Sequence, residues 1–446
     1  MRVDAVVVGM GPGGEVAATR LLQAGKSVAV VERELIGGEC AYWACIPSKV
    51  LLRPPEAQSE AARAAGVSEP ALSWDETAAY RDDMIRHLDD SGPVSGYEKQ
   101  GATVFKGAGR LAGRGVVEVG DDRIEADDII LATGSDPVIP PIEGIDQIDV
   151  WTNREATGLK TIPRSAVVVG GGPVGLELGQ FLGRFGAKVT LVQSSERLLN
   201  RETAEVSELL AGYATEAGIE LRAGARAVRA RRDGNECIVE LEGGEELRGE
   251  VVIAATGRRA RVADLGLESI GVAPGERGIE VDEHCRAGAG LWAIGDVTGV
   301  SQFTHVAKYQ ARVACDNILG KTRVADYRAI PRVVFCDPEV AAVGLTAEQA
   351  RAEDIQVATA TVDLAASIAR PVTFEKAPRG HLGLVADRNS KTLIGAWAVA
   401  PLASEWIHEA VLAVRARVPI DVLLDTVAQF PSYAEGYLLA LEQLDL

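Results

Sequence analysis

Residues 3–34 read VDAVVVGMGPGGEVAATRLLQAGKSVAVVERE, which predicts a buried strand, a glycine-rich turn, a helix and a second strand. Three glycines, Gly9, Gly11 and Gly14, have the spacing G-x-G-x-x-G. The first permits a tight turn, the second lets backbone approach a pyrophosphate, and the third lets the helix pack closely on the strand. The stretch therefore predicts a dinucleotide-binding unit.

The ends of this unit predict two further nucleotide contacts. The N-terminus of the helix offers unpaired N–H groups and the positive end of its dipole to phosphates. Glu32 closes the second strand, 23 residues after Gly9, where a carboxylate can bind a ribose diol.

A second copy of the same device begins at Ser165. Residues 165–199 read SAVVVGGGPVGLELGQFLGRFGAKVTLVQSSERLL, and Gly170, Gly172 and Gly175 repeat the glycine spacing. A single motif of this kind is often an ordinary glycine-rich turn. Two copies, each between a β-rich run and a helical run, predict two Rossmann-like domains and two bound dinucleotides.

The second copy differs from the first at the ribose position. Gln193 stands where the first copy has a glutamate, and a carboxamide does not repel a 2′-phosphate as a carboxylate does. Ser194, Ser195 and Arg197 follow and offer phosphate donors, although they could equally form a solvated loop. We expect NADPH, with NADH as the open alternative.

The composition is that of a soluble globular protein. The chain has 446 residues, 47% of them hydrophobic, and a net charge of −18, which argues against binding to nucleic acid. No apolar stretch is long enough for a membrane helix, and a glycine-rich turn follows the short apolar run at the N-terminus where a signal peptide would have its cleavage site. We expect a cytoplasmic protein of two or three domains, with no membrane or nucleic-acid partner.

A pair of cysteines predicts redox chemistry. Residues 36–49 read IGGECAYWACIPSK, with Cys40 and Cys45 five positions apart. A metal site lacks a second Cys or His pair at ligand spacing, and two inert thiols would not explain the flanking Gly-Gly and Pro-Ser-Lys. Five residues of regular helix rise about 7.5 Å, and a disulfide needs its Cα atoms within about 7 Å, so the turn must distort to close the bond. Strain makes such a bond easier to reduce.

These motifs together resemble the flavin-dependent pyridine nucleotide–disulfide oxidoreductases, the family of dihydrolipoamide dehydrogenase, glutathione reductase and mercuric reductase. The resemblance extends over the whole chain through GMGPGG, GGECAYWACIPSK, ATGS, GGGPVGLELG, ATGRR, AIGDVTG and IPRVVFCDPEVAAVGLT. It implies an α/β fold with two Rossmann-like domains, for FAD and NAD(P), and a C-terminal α+β dimerisation domain. The implied order is an FAD domain (1–150), an NAD(P) domain (151–280), a return segment of the FAD domain (281–328) and an interface domain (329–446).

The resemblance also implies a role for each residue of the site. Cys45 would face the flavin as a charge-transfer thiolate, and Cys40 would be the interchange thiol that meets substrate. Lys49 would lie by the flavin and pair with Glu177, and Asp296 would hold a ribityl hydroxyl. The resemblance implies further cofactor contacts from residues inside these motifs, Gly38, Thr133, Gly134 and Gly257, and from residues outside them, Arg33, Gly109 and Thr304.

One position departs from the disulfide-reducing members. Their C-terminal segment carries a His that takes the proton of the interchange thiol and a Glu five residues later. In AQFPSYAEGY the His position is Phe430, while Glu435 keeps the Glu position. A benzene ring cannot accept a proton, and a positioned general base contributes about 10²- to 10⁴-fold. Tyr433 offers a hydroxyl nearby in the sequence.

We therefore predict an FAD-dependent NAD(P)H oxidoreductase that passes electrons through the Cys40–Cys45 disulfide to a disulfide or another electrophile, such as a thioether. The alternatives are a diaphorase or quinone reductase, a dihydrolipoamide dehydrogenase, and an enzyme similar to ketopropyl–coenzyme M oxidoreductase/carboxylase, which also has Phe at the His position. Mercuric reductase carries a C-terminal cysteine pair that is missing here. Tyr42 and Trp43 could shape a substrate pocket or serve as packing. The family arrangement implies a homodimer whose active site is shared across the interface, acting on a small-molecule substrate.

Overall fold

The computed structural model describes residues Met1–Leu446. Its strands are β1 (Arg2–Val8), β2 (Val28–Glu32), β3 (Thr103–Lys106), β4 (Gly109–Leu111), β5 (Val116–Val119), β6 (Asp122–Leu131), β7 (Ser135–Pro137), β8 (Val150–Trp151), β9 (Ser165–Val169), β10 (Lys188–Gln193), β11 (Glu220–Ala223), β12 (Ala227–Asp233), β13 (Glu236–Leu241), β14 (Glu246–Gly249), β15 (Val251–Ala254), β16 (Arg258–Ala260), β17 (Arg286–Gly288), β18 (Leu291–Ala293), β19 (Pro331–Val334), β20 (Glu339–Gly344), β21 (Val357–Asp363), β22 (His381–Asp387) and β23 (Thr392–Ala400).

The α-helices alternate with these strands through much of the chain. They are α1 (Pro12–Gln23), α2 (Gly38–Tyr42), α3 (Cys45–Arg63), α4 (Trp74–Met84), α5 (Ser91–Lys99), α6 (Asn153–Gly158), α7 (Pro173–Arg184), α8 (Ala204–Glu216), α9 (Thr304–Ile318), α10 (Ala347–Ala352), α11 (Leu364–Ser367), α12 (Ala369–Phe374), α13 (Ala403–Trp406), α14 (His408–Ala416), α15 (Ile420–Leu424) and α16 (Glu435–Glu442). None of them combines the length and the apolar character that a membrane span requires.

The chain divides into two compact units, and the first comprises Met1–Pro47, Ala79–Val138 and Gly257–Asp326. Its main sheet has the order β17-β18-β6-β1-β2-β3, extended by β5 beside β6 and β4 beside β5. Strand β1 lies between β2 and β6, both parallel to it. Its sequence RVDAVVV is almost continuously apolar because side chains on both faces are buried. Helices α1 and α9 pack together over one face of the sheet.

The second unit comprises Ser48–Ala78, Ile139–Thr256 and Tyr327–Leu446. One five-stranded parallel sheet has the order β11-β10-β9-β15-β8, and β12, β13 and β14 form a separate antiparallel sheet. The C-terminal part forms an antiparallel sheet of order β19-β20-β23-β22-β21. Side chains of α14 and α16 cover one face of that sheet and build an apolar core with it.

Both strand–turn–helix–strand predictions are confirmed. The first corresponds to β1, α1 and β2, and the second to β9, α7 and β10. Proline occupies the first turn of each helix, where its missing N–H costs no hydrogen bond. The α/β class with a C-terminal α+β region is confirmed as well. The four predicted domain ranges stay predictions.

Candidate active site

The first glycine motif forms a tight turn, here called a cradle, in which the backbone comes too close at two glycines for any side chain to fit. Gly9 has φ +96°, and a Cβ there would lie 2.4 Å from the Ala132 carbonyl oxygen. A Cβ on Gly14 would lie 2.0 Å from the Gly9 carbonyl oxygen. Gly11, at the N-cap of α1, meets no protein atom within 4 Å of its Cβ position and has no side-chain cap. The turn is thus closed on its protein side and open where a pyrophosphate would approach.

The second motif repeats this geometry closely. Gly170 has φ +121°, and its Cβ would lie 2.3 Å from the Ala255 carbonyl oxygen. A Cβ on Gly175 would lie 1.9 Å from the Gly170 carbonyl oxygen, and Gly172 again faces open space at an uncapped helix start. Both sites therefore fit a dinucleotide.

The two strand-end residues, Glu32 and Gln193, close the cradles in the same way. The Met10 N–H donates to Glu32 Oε2 at 2.8 Å, and the Gly171 N–H donates to Gln193 Oε1 at 2.9 Å. Glu32 Oε1 also accepts the N–H of Glu34, at 2.8 Å. The carboxamide Nε2 of Gln193 donates to the side chain of the nearby Ser195.

A carboxylate lies at the end of β18 in the first unit. Asp296 Oδ2 accepts the Ser135 hydroxyl at 2.6 Å, and Ser135 Oγ accepts Arg258 Nε at 2.8 Å. Burial raises the pKa of Asp296, opposed by the Ser135 hydrogen bond and by the charges of Arg258 and Arg261. A bound flavin chain with hydroxyl groups would give this carboxylate further donors.

The remaining predicted cofactor residues divide between the two units. In the first unit, Gly38 lies against the phosphate turn, since its Cβ would be 2.7 Å from Gly11 Cα. Five more belong to that unit: Arg33, Gly109, Thr133, Gly134 and Gly257. Ser194 and Arg197 follow β10 in the second unit, and the Arg197 carbonyl oxygen accepts the Ser195 hydroxyl at 3.0 Å. Their cofactor contacts stay predictions.

The cysteine pair lies on either side of a break between two helices. Cys40 belongs to α2 and Cys45 begins α3, with each side chain partly buried and no bond between the sulfurs. Thr304, the first residue of α9, joins them through its hydroxyl oxygen, which lies 3.3 Å from Cys45 Sγ and 3.4 Å from Cys40 Sγ. The sequence indicated Thr304 only as a cofactor contact, because Thr304 and Cys40 are 264 residues apart.

The two thiols titrate as a pair. The hydrogen bond with Cys45 holds the pKa of Cys40 well above its usual range, and burial and the charge of Cys45 add to this. The Thr304 hydroxyl and the charge of Lys308 oppose the shift. Once one sulfur is a thiolate, the other therefore keeps its proton, as a partly buried site holds a single negative charge more easily than two.

Of the two aromatic residues between the cysteines, Tyr42 is a packing residue. Its side chain is 1% exposed, and its hydroxyl donates to the Ile36 carbonyl oxygen at 3.1 Å and accepts Arg86 Nη1 at 3.2 Å. Trp43 is partly exposed, with its ring centroid 5.7 Å from that of Tyr42. Of these two rings, only that of Trp43 is exposed enough to line a substrate pocket.

An ion pair in the second unit joins α3 to α7, near the start of the part of α3 that belongs to this unit. Lys49 Nζ lies 2.7 Å from Glu177 Oε2 on α7, and Glu177 Oε1 accepts the Phe335 N–H at 3.0 Å. The Phe335 ring lies below Lys49, with its centroid 4.7 Å from Nζ. The sequence did not indicate Phe335, although it lies within the motif IPRVVFCDPEVAAVGLT. It contributes its backbone N–H and the face of its ring, and residue type does not show which groups these will meet.

The C-terminal segment presents Phe430 to the outside of the second unit, with 66% of the residue exposed. Glu435 Oε2 accepts the Ser432 N–H at 3.2 Å, so this carboxylate orders the turn before α16. Tyr433 is 4% exposed and stacks on Trp406, with ring centroids 5.8 Å apart. Its phenol is therefore packed in the core and does not replace a surface base.

Comparison with known proteins decides the family. Residues 3–311 match the model of the pyridine nucleotide-disulphide oxidoreductases, and residues 330–441 match the dimerisation domain of the same group. The chain belongs to the pyridine nucleotide-disulphide oxidoreductase family. It is a flavoprotein disulfide oxidoreductase, and its family uses FAD and NAD(P)H.

Individual relatives span the whole chain. The sequence is 34% identical to a mercuric reductase of Streptomyces lividans, over 98% of this chain and 95% of the relative. It is 36% identical to a dihydrolipoyl dehydrogenase of Thermus scotoductus, over 99% of this chain and 97% of the relative. Among solved structures, the Cu(II) complex of the HOCl-induced flavoprotein disulfide reductase RclA from Escherichia coli has a TM-score of 0.89 at 26% identity, covering 99% of each chain.

Proposed function

We propose that this oxidoreductase reduces a disulfide or a related sulfur electrophile at Cys40, without a histidine base. The observation that carries the proposal is the pair of cysteines joined through one threonine hydroxyl, at 3.3 and 3.4 Å. When bound, FAD relays two electrons from NAD(P)H to this sulfur pair. The first unit would hold FAD through Gly9, Gly11 and Gly14, and the second would hold the nicotinamide nucleotide, with NADPH favoured.

The sulfur chemistry balances with these residues alone. Two electrons and one proton convert the Cys40–Cys45 disulfide to a Cys45 thiolate and a Cys40 thiol. Cys40 then attacks a substrate sulfur and gives up its proton to solvent as the new S–S bond forms, which breaks the substrate disulfide and releases the first product as a thiolate. Cys45 attacks the mixed disulfide at Cys40, restores the internal disulfide and releases the second product. Both products take their protons from solvent.

The missing base limits the substrates that react quickly. In a homodimer of the family type, Phe430 of one subunit would face Cys40 of the other, and its ring accepts no proton. Leaving thiols of low pKa then suit the site, because they depart without protonation. The proposal also assigns Lys49, Glu177 and Glu435 to the site, the last as the remnant of a His–Glu pair.

An anaerobic titration with NADPH, followed by absorbance, tests whether electrons reach the sulfur pair. We expect a long-wavelength charge-transfer band that is lost in Cys45→Ser and kept in Cys237→Ala, which removes a buried cysteine of the second unit. Bleaching of the flavin without such a band would show that electrons stop there. The diaphorase or quinone-reductase alternative would then replace the proposal.

The substitution Phe430→His tests whether the missing base limits turnover. We expect lipoamide reduction to rise by about 10²-fold, the lower end of what a positioned base contributes. Val427→His is the matched control, because Val427 is 95% exposed in the same segment and should give no gain. No gain in Phe430→His would mean that the pocket itself excludes lipoamide.

A second candidate activity is reduction of a soft metal ion. Metal reduction at a thiol pair needs no base, which suits Phe430, and the relatives include mercuric reductases and a Cu(II) complex of RclA. Copper is the metal in the RclA complex, so Cu(II) is the ion to test. NADPH oxidation driven by Cu(II) in the wild type and lost in Cys40→Ser would support this activity over disulfide reduction.

A further inference from the structure

A lysine lies on the helix face that contacts both sulfurs. Helix α9 begins at Thr304, whose hydroxyl lies 3.4 Å from Cys40 Sγ. Lys308 follows Thr304 by four residues, and side chains four apart on an α-helix share a face, with Cβ atoms about 5–6 Å apart. Its side chain is exposed and can extend from this face of α9 towards Cys40.

Two acidic residues, Glu15 and Glu39, could oppose a positive charge near Cys40. Glu15 on α1 faces Lys308 and Arg86, and burial raises the pKa of Glu15 while these two cations oppose the shift. Glu39, next to Cys40 in the chain, points towards Arg258, with 3.9 Å between Glu39 Oε1 and Arg258 Nη2. Three groups act on the Cys40 thiol: Cys45 raises its pKa, and the Thr304 hydroxyl and the positive charge of Lys308 lower it.

We propose that Lys308 stabilises the Cys40 thiolate electrostatically and so takes over part of the task of the missing histidine. The inference rests on the proposed function, in which Cys40 is the interchange thiol. Lys308 accepts no proton in this scheme, because the thiol proton goes to solvent and the ammonium group stabilises the anion that remains. Lys308 therefore acts through Cys40, and a cation of another shape should serve.

The test measures how fast Cys40 is alkylated by iodoacetamide as a function of pH. The FAD-loaded enzyme is reduced with dithiothreitol, freed of reductant and alkylated, and modification of Cys40 is followed by peptide mass spectrometry. Lys308→Met should shift the profile to higher pH and slow alkylation about 3- to 10-fold near neutral pH, the size expected for one partly solvated charge a few ångströms away. Lys308→Arg should keep the wild-type profile.

A matched control removes the same charge elsewhere. Lys99, exposed in the last turn of α5, belongs to the same unit, and Lys99→Met should leave the profile unchanged. Equal profiles for the wild type and Lys308→Met would overturn the inference, as would a loss in Lys308→Arg as large as that in Lys308→Met. Chemical reduction makes this result independent of electron flow from NADPH. The charge-transfer titration can therefore fail while the lysine effect stands, and the reverse also holds.

Discussion

The two glycine-rich turns of this chain have nearly the same close backbone contacts, and they differ at the strand-end residue, which is Glu32 in one and Gln193 in the other. The closest protein atom to the absent Cβ is 2.4 Å away at Gly9 and 2.3 Å at Gly170, and it is 2.0 Å away at Gly14 and 1.9 Å at Gly175. In each unit the blocking atom is a backbone carbonyl oxygen. The phosphate part of the cradle is therefore built from backbone geometry, which repeats because few conformations bring a helix so close to a strand.

The ribose part of the cradle depends on a side chain, and here the two units differ. Glu32 and Gln193 each accept the amide of the residue after the first glycine. Gln193 adds a donor, which it uses on Ser195, and carries no charge. The shared hydrogen bond maintains the turn, and we expect the charge at this position to decide which ribose the unit tolerates. A substitution at this position can therefore change the charge while it keeps the hydrogen bond that maintains the turn.

The largest expected effect comes from adding a Cβ at Gly14 or Gly175, where it would lie against a backbone oxygen. Gly14→Ala places a Cβ against a backbone oxygen that cannot move without separating helix from strand, so we expect a loss of about 3 kcal/mol in the free energy of unfolding and little bound FAD. Gly175→Ala should destabilise similarly but keep FAD and lose NADPH oxidation. Denaturant unfolding and the ratio of flavin to protein absorbance measure both.

Gly212→Ala is the control for this pair, since Gly212 lies within α8 with no neighbour near its Cβ position. It should be neutral or slightly stabilising, because Ala is the better helix former. If Gly14→Ala unfolded like the wild type, the close contact in the first cradle would be wrong.

A smaller effect is expected on the open side of each turn. Gly11→Ala and Gly172→Ala meet no protein atom, and neither glycine needs a positive φ, so the free energy of unfolding without nucleotide should change little. The added methyl group would occupy the space of the phosphate, and we expect about 10- to 100-fold weaker binding, of FAD in the first variant and of NADPH in the second. Equal affinities before and after substitution would place the phosphate elsewhere.

The smallest effect is expected at the ribose position. Gln193→Glu keeps the acceptor for the Gly171 amide, so stability should stay close to that of the wild type. The new charge should repel a 2′-phosphate and lower the preference for NADPH over NADH by about 10-fold in kcat/KM. Glu32→Gln is the matched change in the first unit. FAD has no 2′-phosphate, so this substitution should lower FAD affinity only through weaker hydrogen bonding to the ribose. An unchanged coenzyme preference in Gln193→Glu would contradict our placement of the ribose.

Sequence reasoning was strongest where neighbours along the chain make the structure. The glycine cradles were predictable because each forms from a strand, a turn and a helix within about 30 residues. Tyr42 illustrates the limit, as its place between the two cysteines suggested a pocket wall as readily as packing. Only its burial and its contacts with Ile36 and Arg86 show that it packs. Tyr433 likewise offered a hydroxyl in the sequence and lies buried in the fold.

The sequence by itself determined two glycine-rich turns of the dinucleotide-binding type, a cysteine pair at a fixed spacing, and a phenylalanine, Phe430, at the position where we predict a histidine in the disulfide-reducing relatives. Each of these follows from residue type and local spacing, which survive any later packing. Only the tertiary structure brought Thr304 to two sulfurs that lie 259 and 264 residues away in the chain, and Phe335 to an ion pair between residues 128 apart. Such contacts form when distant elements pack together, and no local pattern records which backbone N–H or hydroxyl will face a charge. Of these contacts, the Thr304 hydroxyl lowers the pKa of the Cys40 thiol, against the larger raising effects of Cys45 and of burial.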